Sequence, residues 1–183
     1  MHDGWDSLLV SVAGGNQVRF ALLKAIVARE SDGDPNAIGD DGTSFGLAQI
    51  HLPTARGLGY TGDARGLLDP GLNLRLASKL LNELEGQLGA GDGSRREVVS
   101  AYNCGATSSG GWRSRCRRTD GTFTNATYVE DVLTRFARYV WTPPSSTGST
   151  GDIASGAPSG GVVVAGAVLI VLFGLVLGGL LEA

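Results

Sequence analysis

Residues 162–181 read VVVAGAVLIVLFGLVLGGLL, a run without one charged side chain. No other stretch limits the chain so firmly. Twenty apolar residues rising about 1.5 Å each span roughly 30 Å, the hydrocarbon thickness of a bilayer. Only Glu182 and Ala183 follow the run, so a buried core helix is a poor account of it, and a single C-terminal transmembrane helix is expected. Ahead of it, residues 142–161 (TPPSSTGSTGDIASGAPSGG) are almost wholly Pro, Gly, Ser, Thr and Ala. Such a composition makes a flexible linker with a reach of about 25 Å. The chemistry must therefore sit in residues 1–141, enough for one ordinary domain. The N-terminal MHDGWDSLLVSVAGG has acidic rather than basic residues before a short apolar patch, which does not match a secretory signal. The expected arrangement is a folded domain tethered by its C-terminal side. No Lys or Arg lies within about twenty residues of the span, so charge does not set its orientation.

Within 1–141 the apolar residues recur at helical spacing, there are no internal repeats, and no strand signal stands out. NQVRFALLKAIVARE puts Val18, Leu22 and Ile26, with Leu23 and Val27, on one stripe, and Asn16 is a suitable N-cap. Asp69 followed by Pro70 starts a second helix carrying Leu72, Leu76, Leu80, Leu81 and Leu84. SRREVVSAY, residues 94–102, opens on a serine cap and forms a third. Residues 125–141 form a fourth, with Val129, Val132, Leu133, Phe136 and Val140 facing inward, and Pro143 and Pro144 end it. A further turn of helix is expected near Pro53 to Leu58. The fold class is mainly α.

The first helix ends oddly. VARESDGDPNAIGDDGTSFGLAQI, residues 27–50, carries Glu30 at the helix C-terminus, where the dipole disfavours negative charge. A carboxyl held there tends towards a raised pKa, as a general acid requires. Three more short motifs follow: GLAQ at 46–49, AYN at 101–103, and Tyr128 inside TYVEDVL. In this order and spacing the chain resembles the soluble lytic transglycosylase family of the lysozyme superfamily, whose pattern runs ES, GLMQ, AYN, Y. The resemblance covers roughly residues 17–141.

The resemblance implies a lysozyme-like domain that cleaves the β-1,4 bond between N-acetylmuramic acid and N-acetylglucosamine. It makes Glu30 the acid and then the base, with Ser31 beside it. Gly46, Leu47 and Gln49 line the saccharide cleft, Tyr102 and Asn103 place the sugar, and Tyr128 bonds Glu30. Ala48 stands where the family usually has methionine. Bond cleavage needs a protonated carboxyl at the leaving oxygen, and most glycosidases add a second carboxylate. The family dispenses with that second group: the substrate's N-acetyl group stabilises the positive charge and the muramoyl 6-hydroxyl attacks, giving a 1,6-anhydro product. One stretch complicates this. GDDGTSFGLAQ, residues 39–49, also resembles the loop of goose-type lysozymes, in which Asp40 matches an acid that helps hold the hydrolytic water. Where those enzymes have a second acid, just after the Gln, this chain has His51. Lytic cleavage is expected and hydrolysis using Asp40 is the alternative.

Cys104 and Cys116 flank CGATSSGGWRSRC and either form a disulfide or stay reduced at a loop base. Their spacing is not that of metal ligands, and His2 and His51 are distant in sequence, so no metal or cofactor is expected. WRSRCRR at 112–118 is a short basic patch in a chain of net charge −3. Attraction to the carboxylates of peptidoglycan stem peptides suits it better than nucleic acid, which is not expected as a partner. NAT at 125–127 reads as an N-cap rather than a glycosylation site. The expected partners are peptidoglycan, a lipid membrane through residues 162–181, and proteins of a virion or an envelope complex. The expected locations are a phage virion with an internal membrane or, alternatively, the periplasmic face of a bacterial inner membrane. A competing class is a non-catalytic peptidoglycan-binding or structural virion membrane protein.

Overall fold

The computed structural model describes residues 3–105 and 115–140. The linker and span expected at 142–161 and 162–181 lie outside the described residues. Among the described residues no helix is long and apolar enough to cross a membrane.

A short helix α1 (Asp6–Val12) leads into α2 (Gln17–Glu30). Asn16 caps α2 as expected, its side chain accepting the Arg19 N–H at 3.0 Å. The single-stripe expectation fails, however. Residues 21–28 of α2 are buried on every side, while Val18 is 43% exposed. Ala21, Ala25 and Ala28 explain this, because small side chains let neighbouring helices close over faces that a one-stripe helix shows to water. The one charge enclosed there, Lys24, is neutralised: its Nζ lies 2.7 Å from Asp6 Oδ2 and over the Phe20 and Tyr139 rings.

α3 (Leu52–Gly57) is the short turn anticipated near Pro53. α4 (Pro70–Leu88) starts where Asp69 accepts the Leu72 N–H at 2.6 Å, and Leu74, Leu76, Leu80, Leu81 and Leu84 are buried from it. α5 runs Asp92–Cys104, two residues earlier than the expected serine cap, with no side-chain cap. Gly89 and Gly91, both at positive φ, complete the turn between the helices. Asp92 then sits in the first turn, where the helix dipole favours an acid. α6 (Ala126–Val140) buries Val129 and Val132 and half-buries Leu133 and Phe136. Val140, expected inward, is 52% exposed at the helix end.

A small sheet, for which no strand signal stood out, accompanies the expected helices. Strands β1 (Ile38–Gly39), β2 (Ser44–Phe45) and β3 (Ile50–His51) pair antiparallel in the order 1-2-3. Two residues per strand cannot display an alternating pattern, so the sequence carried no signal for them. The register sets Gly39, Ser44 and His51 in one row and Ile38, Phe45 and Ile50 in the next. The architecture is mainly α, with α2 enclosed by helices and the sheet following its C-terminal end.

Candidate active site

The end of α2 is finished by a serine rather than a glycine. Ser31 Oγ donates to the Leu47 carbonyl at 2.8 Å and accepts from the Gly33 N–H at 3.2 Å. The Trp5 indole N–H adds a bond to the Gly33 carbonyl at 2.9 Å. Glu30 is thus anchored on its helix side by a rigid core and on its loop side by two side chains.

Its carboxyl is largely buried, and that desolvation raises its pKa above the ordinary carboxylate value. The Tyr128 hydroxyl, donating to Glu30 Oε1 at 2.6 Å, and the Arg29 guanidinium both act the other way, and Asp40 adds to the rise. Burial wins, so the protonated form persists to higher pH. With Oε1 occupied by the tyrosine, Oε2 is left to carry the proton. Tyr128 is held by its own burial and by Arg29, whose guanidinium lies 5.5 Å from the ring centroid and pairs with Asp131 at 3.1 Å.

Glu30 opens onto a cleft of about 300 Å³ lined also by Asp40, Gln49, His51, Tyr102 and Asn103. Four of the expected substrate contacts are not in that lining. Gly46 and Leu47 are buried beneath the cleft, and Leu47 has no exposed surface at all. Ser31 and Tyr128 spend their hydroxyls on the Leu47 carbonyl and on Glu30. Tyr102 does reach the cleft, yet its hydroxyl donates to the Ala48 carbonyl at 3.0 Å, so it steadies the GLAQ turn. Gln49 sits at φ +47, and its amide donates to the Ala37 and Gly46 carbonyls at 3.1 and 2.9 Å. Asn103 is exposed in the cleft wall, its oxygen accepting from Asn125 at 2.9 Å, which leaves its amide nitrogen for a ligand.

Why Gly46 must be glycine is geometric. At φ +74, an added Cβ would lie 2.6 Å from the Leu67 carbonyl oxygen and 2.7 Å from Asn73 Nδ2. Asn73, fully buried on α4, was not singled out in the sequence. Its amide donates to the Phe45 and Leu67 carbonyls at 2.8 Å each and accepts the Ala48 N–H at 2.8 Å. One side chain therefore clamps the turn that floors the cleft. The available signal was an Asn between Leu72 and Leu74, on the same helix face as Leu76, Ala77 and Leu80.

The other wall carries Asp40, Ser44 and His51. The Ser44 hydroxyl donates to Asp40 Oδ2 and lies 2.8 Å from His51 Nε2, which is itself 3.3 Å from Asp40 Oδ2. Cys104, also in the lining, is disulfide-bonded to Cys116 with Cα atoms 6.2 Å apart. The basic patch is partly engaged where it is described. Arg115 donates to the Cys104 and Gly105 carbonyls, which leaves its charge unneutralised, whereas Arg117 pairs with Glu97. Asn125, expected as an N-cap, directly precedes α6 and its carbonyl accepts the Val129 N–H at 3.1 Å, while its side chain ties α6 to α5. It donates to the Ser100 carbonyl at 3.1 Å and accepts from the Ser100 hydroxyl at 2.8 Å.

Residues 10–122 match the family model described as the transglycosylase SLT domain, well over half of the 183-residue chain. No curated protein matches the chain. Among solved structures it is similar to an inactive mutant of lytic transglycosylase Slt from Pseudomonas aeruginosa, at 24% identity and a TM-score of 0.59. It is also similar to the 70-kDa soluble lytic transglycosylase of Escherichia coli, at 22% identity and a TM-score of 0.58. The 70-kDa enzyme in complex with bulgecin A matches equally, at 22% and 0.58. Each alignment covers 75% of this chain but only 24% of the other, so the chain spans about a quarter of those proteins. At that identity the likeness is one of fold.

Proposed function

The chain belongs to the transglycosylase SLT domain family, and from that premise we propose that it is a lytic transglycosylase cutting the β-1,4 bond between N-acetylmuramic acid and N-acetylglucosamine in peptidoglycan. The observation that carries the reading is Glu30 itself: a carboxyl with a raised pKa, oriented by Tyr128 at 2.6 Å, at the edge of a cleft.

In this reading Glu30 gives its Oε2 proton to the glycosidic oxygen as the C1–O bond breaks, so the leaving sugar departs as an alcohol and not an alkoxide. The substrate's N-acetyl group stabilises the charge left at C1. Glu30, now a carboxylate, takes the proton of the muramoyl 6-hydroxyl as that oxygen closes on C1, giving a 1,6-anhydro end. Tyr128 bonds the carboxyl through both steps and Arg29 favours its anionic stage. Gln49 and Asn103 face the sugar, while Ser31, Gly46, Leu47 and Tyr102 hold the turn that presents them. No metal or cofactor takes part in this scheme.

The same reading has residues 142–161 as a tether and residues 162–181 as an anchor in a lipid membrane, supported by the uncharged run and the Pro/Gly/Ser/Thr composition before it. The domain then opens the wall locally. A phage virion with an internal membrane is the favoured setting and a bacterial envelope complex the alternative.

The test is release of muropeptides from purified peptidoglycan by the full chain and by Glu30→Gln, read by mass spectrometry. Anhydro products, lighter by one water than hydrolysed ones, are expected from the native protein, and Glu30→Gln should lower their rate by about a thousandfold. No release by the native chain sinks the enzymatic reading and leaves a wall-binding module.

A further inference from the structure

His51 is not needed by the lytic scheme, yet it is held in the cleft with care. The sheet register places Gly39, Ser44 and His51 side by side, and Asp40 follows Gly39 at φ +48, so its carboxylate curls back over Ser44. The hydrogen bonds then fix a direction. The Ser44 hydroxyl gives its only proton to Asp40 Oδ2, so towards His51 it can act only as an acceptor. His51 Nε2 must therefore carry a proton, which it donates to Ser44 Oγ at 2.8 Å with Asp40 Oδ2 at 3.3 Å beyond. In the neutral imidazole the lone pair falls on Nδ1, to which no partner bonds among the described residues. Ser44 is wholly buried, so the middle of this relay is shielded from water. The Asp40 side chain is 69% exposed, so the ion pair adds little stability and its effect is to orient the ring.

The geometry points to His51 as a general base for water, giving this cleft a hydrolytic activity beside the lytic one. The inference rests on the muramidase reading above and adds a second fate for the same C1. Glu30 donates its proton to the glycosidic oxygen and the C1–O bond breaks. A water oxygen then bonds to C1, and the proton it sheds passes to His51 Nδ1. Ser44 and Asp40 keep the ring oriented while it holds that proton. It returns a proton to solvent, and Glu30 regains one from solvent. One water is added across the bond and nothing else is consumed. The product is a reducing-end muropeptide instead of an anhydro one.

The two products are separable by mass, and in oxygen-18 water only the reducing end takes up the label. The full chain acting on purified peptidoglycan should give both. His51→Gln, at a half-exposed position, should reduce the labelled share relative to the anhydro share by tenfold or more. Ser44→Ala, which breaks the relay but leaves the imidazole, should reduce it less. A native protein yielding anhydro ends alone overturns the inference and leaves the lytic reading intact. So does a labelled share that His51→Gln and Ser44→Ala leave unchanged. No product of either kind from the native chain defeats the muramidase reading, and this inference with it.

Discussion

Glu30 and Tyr128 lie 98 positions apart in the chain and 2.6 Å apart in space, and under the proposed mechanism their balance should set the working pH. In the proposed reading Glu30 acts as an acid only while protonated, so cleavage should be lost as pH rises through its raised pKa. Tyr128 opposes that rise. Tyr128→Phe should therefore move the alkaline limb of the pH–rate profile to higher pH, and lower the rate at the optimum about tenfold through lost orientation. An unmoved limb would show that the hydroxyl does not act on the carboxyl. Stability carries the matching sign. A carboxyl whose pKa is raised by burial contributes stability below its ordinary value of 4.5 that disappears as pH rises through the raised one. Glu30→Gln escapes that loss, so its Tm relative to the native protein should increase between pH 4 and pH 8, read by calorimetry. Glu30 was singled out in the sequence because an acid at a helix C-terminus is locally disfavoured and the GLAQ, AYN and Tyr128 motifs follow it. Leu47 was not correctly read, because GLAQ names the residues of the turn without saying which of them point into the core.

At the scale of elements, the cleft floor hangs on one side chain of α4. Asn73 satisfies three backbone groups from two separate loops, and its loss strands buried donors and acceptors that have no route to water. Asn73→Ala should cost about 3 kcal/mol, seen as a Tm lower by roughly 10 °C, and should raise KM, since Gln49 follows the turn that Asn73 holds. Asn73→Asp, the same size but unable to donate to the two carbonyls, should be no better. The helices themselves were readable: Asn16 and Asp69 cap as their residue types require. The sheet was not, since two-residue strands carry no period. The start of α5 was displaced because Ser94 looked like a cap, whereas the positive φ of Gly89 and Gly91 lets the chain turn sooner.

Across the whole molecule the walls of the cleft come from distant parts of the chain, and one is covalently tied. The Cys104–Cys116 bond closes a loop with a sequence separation of 12, and loop entropy assigns it about 3 kcal/mol. Cys104 lines the cleft, so in the proposed reading the tie should bear on substrate as well as stability. The Cys104→Ser/Cys116→Ser double variant should melt roughly 10 °C lower and bind peptidoglycan more weakly. An unchanged melting curve with and without reductant would count against the bond's contribution. The pairing itself was open in the sequence, because spacing alone does not choose between a bonded pair and two thiols.

The enclosure of α2 has a consequence in time as well as in space. Local opening begins where apolar contact is thinnest. Residues 21–28 are sealed on every side, whereas Asp40, Asp41 and Gln49, beyond the helix end, all sit at positive φ in the hairpin region. As the protein warms, these cleft-wall segments should loosen well before the helix that carries the carboxyl. If the proposed mechanism holds, such an enzyme should age by losing its hold on the glycan while its acid is still in place.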